Sequence, residues 1–432
     1  MKVLLANPPW SFGNRKGVRA GSRWPHLKTV EEGNYLPYPF FLGYSSSLLK
    51  NNGFKVLFID AIAEDLSVEE FLKKVKNFNP DFILIEVSTP SLENDLQIIK
   101  RIREFSKAAI SVAGMDYSIR DPEFLKNHNY IDFVLYGEYE FTLLDTLQHL
   151  KQNKSLHEVK GLIYREKETG RIVVNPPRPL EDINKLPWPD RESVPIYKYL
   201  DAPGEMPLPC AQVLASRGCP FQCIFCAWPQ IMFHGNNYRV RNIKDVVDEM
   251  EFLVKKMGFK SIYFDDDTFN IGKERMLEFA KEVKNRNLNV PFAIMARADL
   301  MDEEILRALK EAGLFAVKYG VESADQNLLN NCGKNMDIKK VEEIIKLTKS
   351  LGIRVHLTFT FGLPGETKET IEKTIRFALQ QDPFTVQFSI TTPFPGTKYF
   401  NYLKEKNELV YSKMSDFDGN FKAVIKTKEL SP

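Results

Sequence analysis

The 432-residue chain is predicted to fold as an α/β protein in two halves, a doubly wound parallel sheet over residues 1–150 and a second βα series over 208–400. Three observations carry that prediction. Short apolar runs in 1–150 alternate with segments whose apolar residues recur three and four apart, as strands and amphipathic helices require. Prolines crowd 176–179 and 187–189, where they exclude helix and sheet interiors and mark a connector over 151–207. Six further strand-like runs, separated by helical patterns, then follow.

In the first half the strand-like runs are 2–6, 55–59, 81–87, 110–112 and 133–135, with helical patterns such as 68–78 and 92–105 between them. Ligands on such sheets sit beyond the carboxyl ends of the strands. The segments to read are therefore those holding Asn7 and Pro8, Ser88 and Thr89, Gly114, and Gly137, Glu138 and Glu140. Small residues there admit a flat ligand to the backbone, although each segment taken singly is an ordinary connecting turn. A long loop, 11–37, carries Arg15, Lys16, Arg19, Arg23 and Lys28. It reads either as a cap over the active site or as solvated chain. The connector holds a hairpin-like pair, 161–165 and 171–174, and no expected chemistry.

The second half has strand-like runs at 212–215, 261–264, 292–296, 315–319, 354–361 and 385–390. Helical patterns at 244–256, 273–285, 302–312, 338–351 and 368–381 separate them. Cys219, Cys223 and Cys226 follow the first run within eight residues. Three thiolates in that space can hold three irons of a [4Fe–4S] cluster and leave the fourth iron open to a guest. A structural zinc needs a fourth ligand, and neither Cys210 nor His234 stands at a zinc spacing. Five cysteines in a long chain without a signal peptide argue against a disulfide framework. Cys210 and Cys332 read as ordinary packed or surface thiols.

The cysteine spacing, with Phe225 before the last cysteine, resembles the radical S-adenosylmethionine (SAM) superfamily. The resemblance implies that SAM chelates the open iron and is cleaved to a 5′-deoxyadenosyl radical. It also implies that the six βα units form a partial (β/α)6 barrel. Residues matching SAM contacts would then be Phe225, Asp266 and Asp267 after the second strand, and Arg297 after the third. Glu322 and Ser323 after the fourth strand and Gly362 and Leu363 after the fifth complete that set. Asp267 or Thr268 is alternatively a cap for the helix starting at Lys273.

Residues 1–150 resemble the Rossmann-like cobalamin-binding domain found ahead of such barrels, which makes Asn7, Pro8, Ser88, Thr89, Gly114, Gly137, Glu138 and Glu140 the expected cobalamin contacts. The motif Asp-x-His-x-x-Gly is absent, and the histidines of this half are His26, His128 and His149. Any cobalamin is therefore expected to lack a histidine lower ligand.

Together these features imply a cobalamin-dependent radical SAM methyltransferase acting on an unactivated carbon of a small molecule or lipid. No catalytic residue is expected beyond the cofactors. A radical cyclase, rearrangement or carbon–carbon coupling enzyme is the alternative, and a non-catalytic iron–sulfur scaffold the second. An external reductant such as flavodoxin or ferredoxin is implied. A net charge of +2 makes no case for nucleic acid, and no run approaches the roughly 18 apolar residues of a membrane span. A monomer in a reducing cytoplasm is expected. Tyr238, Arg239 and Arg241 read as solvated charge around a helix start, and His356 as packed in the barrel. The sequence runs only to Pro432, so a short extension over 401–432 is expected, with either an unusually open substrate pocket or a truncated chain.

Overall fold

The computed structural model describes residues 1–22, 25–29, 35–166, 169–419 and 422–432. Its first sheet runs Ile172–Val174, Leu162–Arg165, Phe133–Leu135, Ala109–Gly114, Phe82–Val87, Lys2–Asn7 and Lys55–Asp60 from edge to edge. The last five of these pair in parallel. Helices cover both faces, so the runs are apolar throughout, and every residue of Phe82–Val87 is buried. Strand order reverses between Lys2–Asn7 and Phe82–Val87, which places a ligand crevice beyond Asn7 and Ser88.

The hairpin assigned to the connector is instead the antiparallel edge of this sheet, pairing through Leu162–Arg165 with Phe133–Leu135. A lone hairpin is marginal in water, whereas here Leu162, Ile163 and Tyr164 are buried.

The second sheet is parallel and in chain order: Cys210–Val213, Ser261–Phe264, Phe292–Ala296, Leu314–Glu322, Arg354–Phe361 and Thr385–Ile390. Its two end strands are not paired with each other, leaving the barrel open on one side. Alternation fixes which side chains face the lumen. Tyr319 hydrogen-bonds Thr348 of helix Ile338–Ser350, and Phe359 packs on Phe377 of helix Lys368–Gln381. The residues between, Lys318, Gly320, His356 and Thr358, therefore face inward, and past a register shift the Glu322 carboxylate reaches the same side, 2.8 Å from where a Gly320 Cβ would sit. Met206 of the connector packs with Cys210, Tyr263, Ala293 and Ala316 and plugs the amino-terminal end of the lumen.

Two strand bounds differ from the sequence expectation. The first barrel strand ends at Val213, and Ser216–Gly218 leaves the sheet to pair antiparallel with Tyr238–Val240. The cause is Asp266, whose carboxylate accepts Ala215 N and Ser216 Oγ in place of ladder bonds. The cysteines thus stand between two strands of a ribbon and do not follow the sheet directly. The fourth strand continues to Glu322, so that Gly320 and Glu322 lie within it.

One core joins the halves. Phe41, on helix Phe40–Asn51, meets Trp228 and Phe233 with ring centroids 5.6 and 6.4 Å apart. The described parts of the long loop form a three-stranded antiparallel sheet, Ser11–Phe12, Arg15–Val18 and His26–Lys28, which corrects the solvated-chain alternative for them. Arg23 lies outside the described residues.

The C-terminal extension packs against both halves. Helix Lys398–Glu405 rests on the cysteine loop through Tyr399 N and Ile224 O at 3.1 Å, and the turn Met414–Asp416 lies against Thr89–Ser91. Among the described residues no helix is long and apolar enough to cross a membrane.

Candidate active site

Cys219, Cys223 and Cys226 are half-buried on a loop held from several sides. Ile224 N donates to Cys332 O at 2.9 Å, and Gln230 Nε2 donates to Ile224 O and Cys226 O at 3.0 and 2.7 Å. Gly333 backs onto the loop so closely that a Cβ there would fall 2.6 Å from Gln222 O. Phe225 is packed with Leu328, Cys332, Leu363, Tyr399, Leu403 and Ile425, which makes it an anchor of the loop. Cys332 is buried against that loop and is not a surface thiol.

Burial raises the Cys219 and Cys223 thiols, while the cations of Lys334 and Arg297 pull Cys223 back down. Among the described residues no three such ligands converge on one metal ion. In a [4Fe–4S] cluster each thiolate binds its own iron, so three partly accessible sulfurs spread along a loop fit that group and not a mononuclear site.

The strand-end residues divide into those that face the loop and those spent internally. Arg297 stacks on Phe221 of the cysteine loop, its guanidinium carbon 3.7 Å from the ring centroid. It also forms two hydrogen bonds to Asp299, at 3.0 and 2.8 Å, and donates to Lys334 O at 3.0 Å. Glu322 adopts φ +71° and pairs with Lys334 Nζ at 2.9 Å. Asp267 accepts Gly218 N at 3.0 Å, and so orients the residue before Cys219. The helix Lys273–Asn285 is preceded by Gly272 as its cap, so neither Asp267 nor Thr268 has that role.

Ser323 is fully buried against Thr374, and the Leu363 side chain is in the Phe225 cluster. Gly362 and Leu363 offer backbone, pinned by the Glu366 carboxylate, which accepts both of their N–H groups.

Asp266 is fully buried, and its carboxylate accepts from Ala215 N and Ser216 Oγ. Burial pushes its carboxyl up to about 7 against the hydrogen bonds of Ser216 and Ala215. An acid raised above its unfolded value near 3.9 stabilises the fold below that value, and the contribution is lost as pH climbs through about 7. Glu86, likewise raised to about 7 by burial, acts in the same sense. Urea unfolding is therefore expected to show stability falling between pH 5 and pH 8, with a flatter profile for Asp266→Asn. An unchanged profile in that variant would refute the assignment.

On the other sheet, the predicted contacts Asn7, Pro8, Ser88 and Thr89 do lie at the strand-order reversal. Their polar atoms are largely taken. Asn7 bonds Asp60 at 2.8 Å and accepts Arg19 Nε at 2.8 Å, and Arg19 also reaches Pro8 O and pairs with Asp95. Ser88 Oγ is bonded to Ser91 Oγ. Gly114, at φ +125°, admits Val87 O where a Cβ would sit.

Glu138 and Glu140, expected as cobalamin contacts, are both engaged by arginines of the second half. Arg217 binds Glu138 at 2.8 Å and Glu140 at 2.7 Å, and Arg239 binds Glu138 at 2.7 Å. Arg241 is buried on Asp245 and Glu249, so the cluster read as solvated charge is a set of ion pairs. Across from Gly137, His234 approaches so closely that a Cβ would fall 2.7 Å from its Nε2. The residues present thus fit a flat cofactor that rests mainly on backbone, with the Cβ positions of Gly114 and Gly137 taken up by Val87 O and His234. Loops from the carboxyl ends of both sheets meet here, with Arg120 donating to Ile231 O and Gly396 abutting the Tyr117 ring.

Sequence reasoning missed Arg217, Lys334 and Glu366. Arg217, two residues before Cys219, is a lone arginine in the sequence. Lys334 has no motif, and the Glu366 role depends on a turn closing on itself.

Comparison with known proteins agrees with this geometry. The model of the radical SAM superfamily matches residues 213–378, and that of the B12 binding domain residues 34–146. An uncharacterized methyltransferase of Pyrococcus horikoshii is 31% identical over 412 residues, covering 95% of this chain and 84% of its own length. The anaerobic magnesium-protoporphyrin IX monomethyl ester cyclase of Rubrivivax gelatinosus is 30% identical over 419 residues, covering 95% and 71%.

Among solved structures, the radical SAM methyltransferase TsrM of Kitasatospora setae superposes with a TM-score of 0.72 at 20% identity over 94% of this chain and 75% of its own. The cobalamin-dependent radical enzyme OxsB gives 0.72 at 19% identity over 98% and 64%. A radical SAM domain uses an iron–sulfur cluster and SAM, and a B12 domain uses cobalamin, so these form the cofactor set. With both domains in this order, and a methyltransferase alike over nearly its whole length, the chain belongs to the cobalamin-dependent radical SAM enzymes.

Proposed function

We propose that this enzyme transfers a methyl group to an unactivated carbon of a small-molecule or lipid substrate, using an external reductant such as flavodoxin or ferredoxin. The observation that carries the reading is the meeting of the two sheets' carboxyl ends. Glu138 and Glu140, after the fifth strand of one sheet, grip Arg217, which stands two residues before the first cysteine. A substrate in the barrel mouth would be enclosed between the two cofactor positions. When bound, the cluster supplies the electron that cleaves SAM, and cobalamin carries the methyl group; no histidine of the cobalamin domain is placed by motif as its lower ligand.

The protein's own part is positioning. Arg297 and Lys334 present positive charge beside Cys223 and suit the SAM carboxylate, and Glu322 suits its amine or ribose hydroxyls. Asp267 holds the backbone before Cys219, and the Glu366-pinned turn at Gly362 offers backbone to the adenine edge. The C-terminal turn and Trp10, packed over Gly17, exclude water from the first sheet's crevice.

The test is anaerobic reconstitution with iron, sulfide and cobalamin, followed by SAM and reductant, with products quantified by mass spectrometry. Deoxyadenosine with cobalamin-dependent S-adenosylhomocysteine is the expected outcome. Replacement of Cys219, Cys223 and Cys226 by alanine should reduce both to background. Deoxyadenosine without S-adenosylhomocysteine would favour the second reading, a radical cyclase, for which the likeness to the Rubrivivax gelatinosus cyclase speaks.

A further inference from the structure

Below the Lys334–Glu322 pair, the barrel lumen holds a second polar layer that SAM chemistry does not require. Met295, Lys318, His356 and Thr385 stand in register across four adjacent strands. Lys318 is half-buried, yet among the described residues it has no carboxylate within ion-pair distance and no hydrogen bond. Lys334 above it, by contrast, is paired. Removing an ammonium from water without a partner is costly, and a mid-strand position gives its stem little freedom to reach bulk solvent.

His356 shares the layer. Its Nδ1 lies 2.7 Å from Thr385 Oγ1, and its Nε2 is buried without a hydrogen bond. Burial, then the charge of Lys318, lowers His356 to about 3, so the ring is neutral and adds a donor without adding charge. Gln387, in register with Thr358 and inward by alternation, brings an amide and is exposed on the last strand. The lumen is therefore reachable from the open side of the barrel.

Among the described residues, the layers above and below carry no free carboxylate that would compete for Lys318. Gly320 makes room for the Lys334–Glu322 pair, since a Cβ there would fall 2.8 Å from Glu322 Oε1 and 3.3 Å from Lys334 Nζ, and so separates that pair from the Lys318 layer. Below, the Met206 and Ala316 plug is apolar, and Arg354, in register with Ala316, donates to Gly204 O at 2.8 Å, so the layer beneath brings a cation and not a carboxylate.

We propose that Lys318, His356 and Gln387 form a subsite for an oxyanion of the substrate, a carboxylate or a phosphoryl group. The proposal rests on the reading of the lumen as the substrate chamber. Lys318 supplies the charge, and the neutral imidazole and amide supply directional hydrogen bonds. An anion anchored there would hold the rest of the substrate towards the barrel mouth, where the cysteine loop lies.

The test uses the full chain with its cluster reconstituted and SAM in excess, so that the SAM site is filled. Saturation-transfer NMR compares benzoate, phenylphosphonate and the neutral benzyl alcohol. At least one acid should bind about tenfold or more tightly than the alcohol. That preference should vanish in Lys318→Met and survive in Lys318→Arg. Preference for benzoate assigns a carboxylate, and preference for phenylphosphonate a phosphoryl group.

Acids bound no better than the alcohol, or bound equally by Lys318→Met, would overturn the proposal. Should Lys318→Met fail to fold, His356→Leu with Gln387→Leu decides, since it removes both neutral donors and should weaken acid but not alcohol binding. The readout does not use turnover. A missing S-adenosylhomocysteine product would sink the methyl-transfer reading alone, and indifferent anion binding would sink the subsite alone.

Discussion

Arg217→Met is expected to cost about 3–5 kcal/mol of folding stability, because it leaves carboxylates buried without their cation. The guanidinium is almost wholly enclosed. It sits 4.9 and 4.8 Å from the centroids of Phe41 and Tyr44 while binding Glu138 and Glu140. Methionine refills the apolar part of that volume, so the loss isolates the charge. Glu138 keeps Arg239, whereas Glu140, fully buried, is the orphan. Glu140→Gln should therefore rescue the variant more than Glu138→Gln, since a buried pair neutralised on both sides costs little. Urea midpoints of the four proteins read this directly. A midpoint for Arg217→Met equal to that of the native chain would show that the bridge between the halves bears no energy. Because residue 217 leads into Cys219, SAM cleavage should fall with the midpoint.

Lys334→Met should leave a cluster that assembles but is harder to reduce. The lysine is buried, paired to Glu322, and close enough to Cys223 to lower its thiol. A unit charge at neighbouring side-chain distance is worth about 2–3 kcal/mol at an effective dielectric of about 20. Reduction adds negative charge, so losing the cation shifts the midpoint to more negative values, by on the order of 100 mV for one electron. The bared Glu322 carboxylate adds to the shift. Redox titration followed by electron paramagnetic resonance measures it, and deoxyadenosine formation should drop about a hundredfold in parallel. Lys334→Arg should recover most of the potential. A potential unchanged in Lys334→Met would remove the residue from the electrostatics of the cluster.

Strand and helix positions were legible because burial on both faces leaves long apolar runs, and amphipathic helices leave a 3.6-residue period. The helices Val68–Phe78, Lys273–Asn285 and Lys368–Gln381 fall where periodicity puts them. The cysteine loop was legible because its three thiols are close in the chain, and local spacing is what a sequence displays. Boundaries failed where a side chain took over from the ladder. Asp266 pulls Ala215 and Ser216 out of the first barrel strand, and the edge hairpin joined the sheet because its apolar face had nowhere else to go.

The sequence by itself determined the two α/β halves, their order, the spacing of the three cysteines and the absence of a histidine motif for cobalamin. Only the tertiary structure decided how each charge is used. Glu138 and Glu140, expected to face a ligand, are held by Arg217, 79 and 77 positions away along the chain, and Arg19 is locked on Asp95, 76 positions away. Lys334 gains its place beside Cys223 through a turn after helix Gln326–Asn331, and Lys318 keeps its lumen position without a counter-ion among the described residues. The physical reason is that apolar burial follows from local periodicity. The pairing of a buried charge depends on which distant group the fold brings within about 4 Å, where low dielectric makes that choice worth several kcal/mol.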